Sequence, residues 1–92
     1  MMEMSVPADD NASPVILDMD AIRQRCIMAT PGPWKSYVEG RDHDSGSSFI
    51  MTSGEDIELI RASVADQDFI AHARQDIPQL LAEIQRLKAM IR

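Results

Sequence analysis

The densest run of chemically capable side chains in this sequence is Glu39-Gly40-Arg41-Asp42-His43-Asp44-Ser45-Gly46. Carboxylates and an imidazole on one loop can ligate a divalent cation or position a water, and His43 can polarise the Ser45 hydroxyl two residues on. The spacing matches neither a calcium loop nor a zinc signature. The same residues suit a solvated connection in which Asp and Ser bond their own backbone and the glycines permit positive φ. A second set lies at helical spacing. His72 follows Asp68 by four residues and Asp76 follows His72 by four, so a continuous helix would present all three on one face. An Asp-His pair can tune an imidazole as a base or a ligand. Folded onto that face, the loop would let His43, Asp44, Asp68 and His72 hold one metal ion and make a small metal-dependent hydrolase. Spacing alone does not bring the four together, so no metal, cofactor or catalytic residue is assigned and the chain is expected to be non-enzymatic.

Three other residues invite a functional reading and have a structural one. Cys26 sits on an apolar helical face beside Ile22 and Ile27, which favours packing over reactivity. Trp34 follows Thr30-Pro31-Gly32-Pro33 and reads as a core side chain more readily than as an exposed anchor. Arg74 is expected to pair with a nearby acid or to cap the negative end of its own helix. The sequence contains no Gly-rich phosphate loop, no Ser-His-Asp arrangement and no internal repeat.

The elements that must position these groups follow from local pattern. Residues 1–14 combine two prolines with small polar residues and acids and lack periodicity, so they read as a disordered acidic tail before a single domain over 15–92. Asp18 is an N-cap for a helix over about 18–29, which Pro31 and Pro33 must stop. Three β segments follow, Trp34 to Glu39, Ser47 to Thr52 and Asp56 to Arg61, the last two joined at hairpin length. Alternation puts Trp34, Ser36 and Val38 on one face and Lys35, Tyr37 and Glu39 on the other. Beyond Ser63, which forms a capping box with Asp66, the period becomes helical, with Phe69, Ile70 and Ala73 as the apolar stripe. Pro78 predicts a break, with Asp76 capping a restarted helix. Ile77, Leu80, Ile84, Leu87 and Ile91 then repeat at steps of three and four over two heptads; burial against the sheet in a monomer is expected, with a coiled-coil dimer as the alternative. The fold class is α+β, in the order α-β-β-β-α-α, a three-stranded antiparallel sheet with helices packed on one face.

Charge narrows the function. The 92 residues carry 9 Lys and Arg against 15 Asp and Glu. Glu3, Asp9, Asp10, Asp18 and Asp20 fall in the first 20 residues without a single Lys or Arg, so the remainder is nearly neutral. Within that remainder Glu39, Asp42, Asp44, Glu55, Asp56 and Glu58 surround Arg41 alone, which makes one electronegative edge. Displacing counterions from nucleic acid needs clustered basic side chains, and none are present, so nucleic acid is not expected as a partner. The apolar runs are far shorter than the roughly 20 residues that cross a bilayer, and the start lacks the basic and apolar regions of a secretory signal. The expected setting is cytoplasmic, without membrane contact. A single cysteine cannot form an intrachain disulfide.

Ala29-Thr30-Pro31-Gly32-Pro33-Trp34, together with Asp68-Phe69-Ile70-Ala71-His72-Ala73-Arg74-Gln75-Asp76-Ile77-Pro78, resembles a group of small, mostly uncharacterised bacterial and phage proteins. They share an ATPGPW stop after the first helix and a D-x-F-I-A-x-A-R-x-D-x-P-x-L-L stretch near the end. The resemblance spans about residues 29 to 87. It implies context more than chemistry, because such proteins often sit in prophage or toxin neighbourhoods where inhibitors and immunity proteins are common. The expected function is binding and neutralising a basic protein partner such as a nuclease toxin, through Glu39, Arg41, Asp42, His43, Asp44, Glu55, Asp56 and Glu58 with Asp68 and His72 at the start of the second helix. The hydrolase and an oligomeric structural protein joined through Ile77 to Ile91 stand as alternatives.

Overall fold

The computed structural model describes residues 17–91, so the expected tail over 1–14 and both limits of the domain lie outside the described residues. The order is α1 (Met19–Met28), β1 (Lys35–Tyr37), β2 (Phe49–Met51) and α2 (Val64–Met90). The class is α+β. Asp18 caps α1 by accepting the Ala21 amide at 3.0 Å, and Ala29 turns the backbone extended before the prolines. No residue of α1 is buried, so this helix depends on what holds it from outside.

The sheet is a two-stranded antiparallel ribbon with Lys35 opposite Met51, Ser36 opposite Ile50 and Tyr37 opposite Phe49. The alternation holds, since Ser36 and Val38 are buried while Lys35 and Glu39 are exposed. The expected third strand over Asp56 to Arg61 is reduced to one bridge, in which Ile50 and Ile57 exchange both backbone hydrogen bonds at 2.8 Å. The tight connection that makes this bridge is real: Thr52 Oγ1 accepts the Gly54 amide at 2.9 Å and donates to the Glu55 carbonyl at 2.8 Å. Past Ile57 the chain must leave the ribbon to reach the cap at Ser63, and Arg61 takes a left-handed φ of 69°, which no strand accommodates.

The capping box is formed in full, with Asp66 N donating to Ser63 Oγ at 3.0 Å and Ser63 N to Asp66 Oδ2 at 3.2 Å. From there α2 runs as one helix of 27 residues with Pro78 inside it. The expected restart at Asp76 does not occur. Proline removes one intrahelical bond, but Arg74, Pro78 and Leu81 line a shared groove with Arg23, Cys26 and Ile27, so packing on α1 spans the interruption. The expectation that helices share one face of the sheet is also corrected: α2 alone covers β1 and β2, and α1 packs on α2.

The core is thin. Ile50 is fully enclosed, and Val38, Ala71 and Leu81 are buried. The polar residue at its centre is Gln67, 5% exposed, whose Nε2 lies 2.8 Å from Ser36 Oγ, 3.1 Å from the Tyr37 carbonyl and 3.2 Å from the Phe49 carbonyl. Two turns on, Gln75 grips the backbone of Trp34, accepting its amide at 2.6 Å and donating to its carbonyl at 3.2 Å. Ala71 lies between the two glutamines and its small side chain lets the helix approach the ribbon. The stripe expected to face the sheet lies off it: Phe69 is 75% exposed, Leu80, Leu87 and Ile91 face outward, Ile84 is half-buried, and Ile70, Ala73 and Ile77 border a groove with Ile22 and Cys26 of α1, its cap Ala29 and Trp34. The physical reason is that strand carbonyls facing a helix need donors, which Gln67 supplies and the apolar stripe does not. Projection of α2 beyond the ribbon makes the molecule elongated, with a radius of gyration of 16.7 Å, where a compact domain of this size has about 11–12 Å.

Candidate functional site

The 39–46 loop is built by its own side chains. Asp42 Oδ2 accepts the Val38 amide at 2.8 Å, while the Arg41 and Asp42 amides return to the Val38 carbonyl at 3.0 and 2.8 Å. At the far side Glu39 Oε1 accepts the Gly46 amide at 2.6 Å. Gly40 and Gly46 take φ of 83° and 103°, which the closure needs and other residues resist. Glu39 and Asp42 therefore spend acceptor capacity inside the loop.

Arg41 fastens this loop to α2. Its Nη1 and Nη2 donate to the two carboxylate oxygens of Asp68 at 2.8 and 3.1 Å, and its Nε and Nη2 reach Asp42 at 3.0 and 2.8 Å. This fork geometry is the strong form of an ion pair. The Arg41 guanidinium first, and the Ser36 hydroxyl second, hold the Asp68 carboxyl down to about 2. Arg41 also keeps Asp42 below its ordinary value, and the two acids raise Arg41 in turn. A carboxylate depressed in the folded state contributes stability above its unfolded value of 3.8, lost as pH falls towards about 2. Asp68→Asn is expected to melt lower than the native chain at neutral pH, with the two melting curves converging between about pH 4 and pH 2. Parallel pH profiles would sink this account. The effect is expected to be modest because the pair is partly solvated, the side chains being 46% and 31% exposed.

His43 lies against the outer sheet face, its ring centroid 5.2 Å from Phe49 and 6.2 Å from Tyr37, with Tyr37 stacked on Phe49 at 5.5 Å. Its Nδ1 accepts the Ser45 amide at 3.1 Å and meets the Ser45 hydroxyl at 2.6 Å. The neutral ring thus carries its proton on Nε2, which is buried without a partner. The Ser45-His43 contact expected as polarising is formed, yet the nitrogen that a base would have oriented by an acid is the enclosed one. The imidazole acts as a strut. His72 is exposed and its Nδ1 bonds the Asp68 backbone carbonyl at 2.8 Å, whereas the Asp68 carboxylate faces Arg41. No cluster of three or more His, Cys, Asp or Glu that could hold a metal ion is found among the described residues.

The remaining acids, Asp44, Glu55, Asp56 and Glu58, are exposed. Beside the last of them lies a feature the sequence reading missed. Ile60, 89% exposed, and Phe69 flank an open groove of about 420 Å³ with Leu59, Ala62, Ile70 and, at its rim, Asp66 and Arg61. Leaving the strand at Arg61 exposes Ile60, and rotating α2 onto Gln67 exposes Phe69. A signal was present: Gln67, Ala71, Arg74, Pro78 and Leu81 form a second helical stripe that runs beside the apolar one.

The two segments that carry the family resemblance meet each other. Arg74 of α2 donates from Nε to the Thr30 carbonyl at 2.9 Å and from Nη2 to the Cys26 carbonyl at 3.1 Å, so it caps the negative end of α1 instead of its own helix or an acid. Trp34, half-buried, donates its indole N–H to the Thr30 carbonyl at 2.9 Å. Their spelling therefore has a structural explanation. Among the described residues no helix is long and apolar enough to cross a membrane. The chain matches no protein-family model, no curated protein and no solved structure.

Proposed function

We propose that this protein is a non-enzymatic binding module that captures a basic protein partner, in the manner of an inhibitor or immunity protein. The observation that supports the reading best is the exposed pair Ile60 and Phe69, flanking an apolar groove directly after the exposed acids Glu55, Asp56 and Glu58. Buried aromatic anchors dominate interface energies, and surrounding acids steer a basic surface toward them. Relative to the edge expected from sequence, the recognition surface contracts. Glu39, Asp42 and Asp68 are engaged in fixing the loop, whereas Asp44, Glu55, Asp56 and Glu58 face solvent. The resemblance to small phage and bacterial proteins supplies a first probe, the product of the gene adjacent to this one.

Titrating that product against the chain by stopped-flow and calorimetry is the test. Association should slow as salt rises, and reversing Glu55, Asp56 and Glu58 to Lys should slow it about tenfold or more without lowering the melting temperature. Phe69→Ala should act on dissociation instead, since it removes the anchor. A partner that binds with no salt dependence and is indifferent to Phe69→Ala would defeat the proposal.

A further inference from the structure

The incomplete third strand leaves one edge of the ribbon unused. Ile57 turns its amide and its carbonyl to Ile50, each bond 2.8 Å long. In an extended chain the backbone groups of Asp56 and Glu58 therefore point the opposite way. Among the described residues, the amides and carbonyls of Asp56, Glu58, Leu59 and Ile60 have no hydrogen-bond partner. The other edge of the ribbon is closed. Gln75 holds the amide and carbonyl of Trp34, while the Val38 amide goes to Asp42 and its carbonyl accepts the amides of Arg41 and Asp42. Ser36 is left alone between two occupied neighbours, so a further strand has room to pair only along Asp56 to Glu58.

We infer that the partner is captured as an extended strand added antiparallel to Asp56–Glu58, with basic side chains opposite Glu58 and Asp56 and a large apolar side chain two residues before the first of them. This rests on the partner-binding reading above and gives its partner a chemistry. Main-chain pairing supplies adhesion in this mode of recognition, and alternate side chains supply selectivity. Antiparallel pairing is the stronger per residue, and it continues the sense in which β1, β2 and Ile57 already pair. Alternation sets Asp56, Glu58 and Ile60 on one face of the segment, and all three are exposed. Cross-strand neighbours of the two carboxylates are therefore favoured as Lys or Arg. Opposite Ile60 the added chain reaches the groove that Phe69 and Ile70 line, which takes an apolar side chain. The same pattern excludes a second copy of this segment, because antiparallel self-pairing sets Asp56 against Glu58 twice.

The probe is an end-blocked synthetic peptide built on Leu-Thr-Lys-Thr-Lys, titrated into the isotopically labelled full chain and followed by NMR. At saturation the Asp56 and Glu58 amides should exchange with solvent about tenfold more slowly or less. Methylating the backbone nitrogens of the two lysines, whose N–H groups face Glu58 and Asp56, should weaken binding about tenfold or more, whereas methylating the threonines should cost less than about threefold. Glu58→Pro removes an amide that bonds nothing within the chain, so it should spare the fold and weaken the peptide about tenfold or more, and Glu58→Gln should cost less. Should Glu58→Pro unfold the chain, the methylated peptides decide. No binding up to about 1 mM, equal losses from the two methylation patterns, or binding that leaves exchange at Asp56 and Glu58 unchanged overturns the inference. Capture of the adjacent gene's product that depends on salt and on Phe69 but leaves those two amides unprotected defeats this inference and leaves the partner reading standing. Peptide pairing at this edge without capture of that product does the reverse.

Discussion

Gln67→Leu is expected to destabilise the fold by about 2–4 kcal/mol, because it removes the donor from the buried Ser36 hydroxyl and from two part-buried strand carbonyls and sets an apolar group against them. Its Nε2 sits within hydrogen-bond distance of Ser36 Oγ and of the Tyr37 and Phe49 carbonyls, on opposing residues of the ribbon. Leucine fills nearly the same volume, so the loss reports hydrogen bonding and not a cavity. For a domain of this size each kcal/mol moves the melting temperature by roughly 4–8 °C, so a fall of about 8–32 °C is expected. Gln79→Leu, at an exposed position of the same helix, should change it little. The coupling is checked by adding Ser36→Ala, which should cost less in the Gln67→Leu background than alone. If Gln67→Leu melts with the native chain, the amide is not what orients α2 on the ribbon.

The second large effect is local. Arg74→Met keeps the aliphatic stem but removes both donors to the Cys26 and Thr30 carbonyls. Hydrogen bonds from a charged donor contribute about 1.5–3 kcal/mol each, and a cation at a helix C-terminus adds about 0.3–1 kcal/mol. No residue of α1 is fully buried, and Ile22, Cys26 and the cap residue Ala29 meet α2 only along open grooves, so these two bonds are a large share of what fixes it. The expected result is detachment of α1 with the rest of the fold retained: amide exchange across Met19–Met28 accelerates, while the amides bonded between β1 and β2 remain slow. Lysine is expected to rescue poorly, since one ammonium lacks the fork that reaches both carbonyls. Uniform loss of protection across the chain would show that Arg74 supports the whole fold and not α1 alone.

These two residues mark the limit of what patterning conveys. Asp18 and Ser63 announce their helices through side chains that bond amides three residues away, and the Thr30–Pro33 stop acts through missing donors. All of that is local chemistry and was legible. Arg41, Asp42, Asp68, His43 and Ser45 were legible as a group of interest, yet their roles were not. Whether a carboxylate faces solvent, a metal or an arginine depends on where a loop and a helix 27 residues apart come together. Ile60 and Phe69 were read as strand and core because their types suit both; only the left-handed turn at Arg61 and the rotation of α2 expose them.

The sequence by itself determined the caps, the alternation along β1, the α+β class and the helical period of residues 64–90. Tertiary structure decided the phase of α2. Two stripes share that helix at the same spacing, one of glutamines, alanine and arginine and one of isoleucine and leucine. Hydrophobicity alone chooses the second for the interior. The strand carbonyls of Tyr37 and Phe49, the Trp34 backbone and the open end of α1 choose the first, because an unpaired buried polar group costs as much as an apolar side chain gains by burial. That same choice continues the helix through Pro78 and leaves Phe69, Leu80, Leu87 and Ile91 exposed.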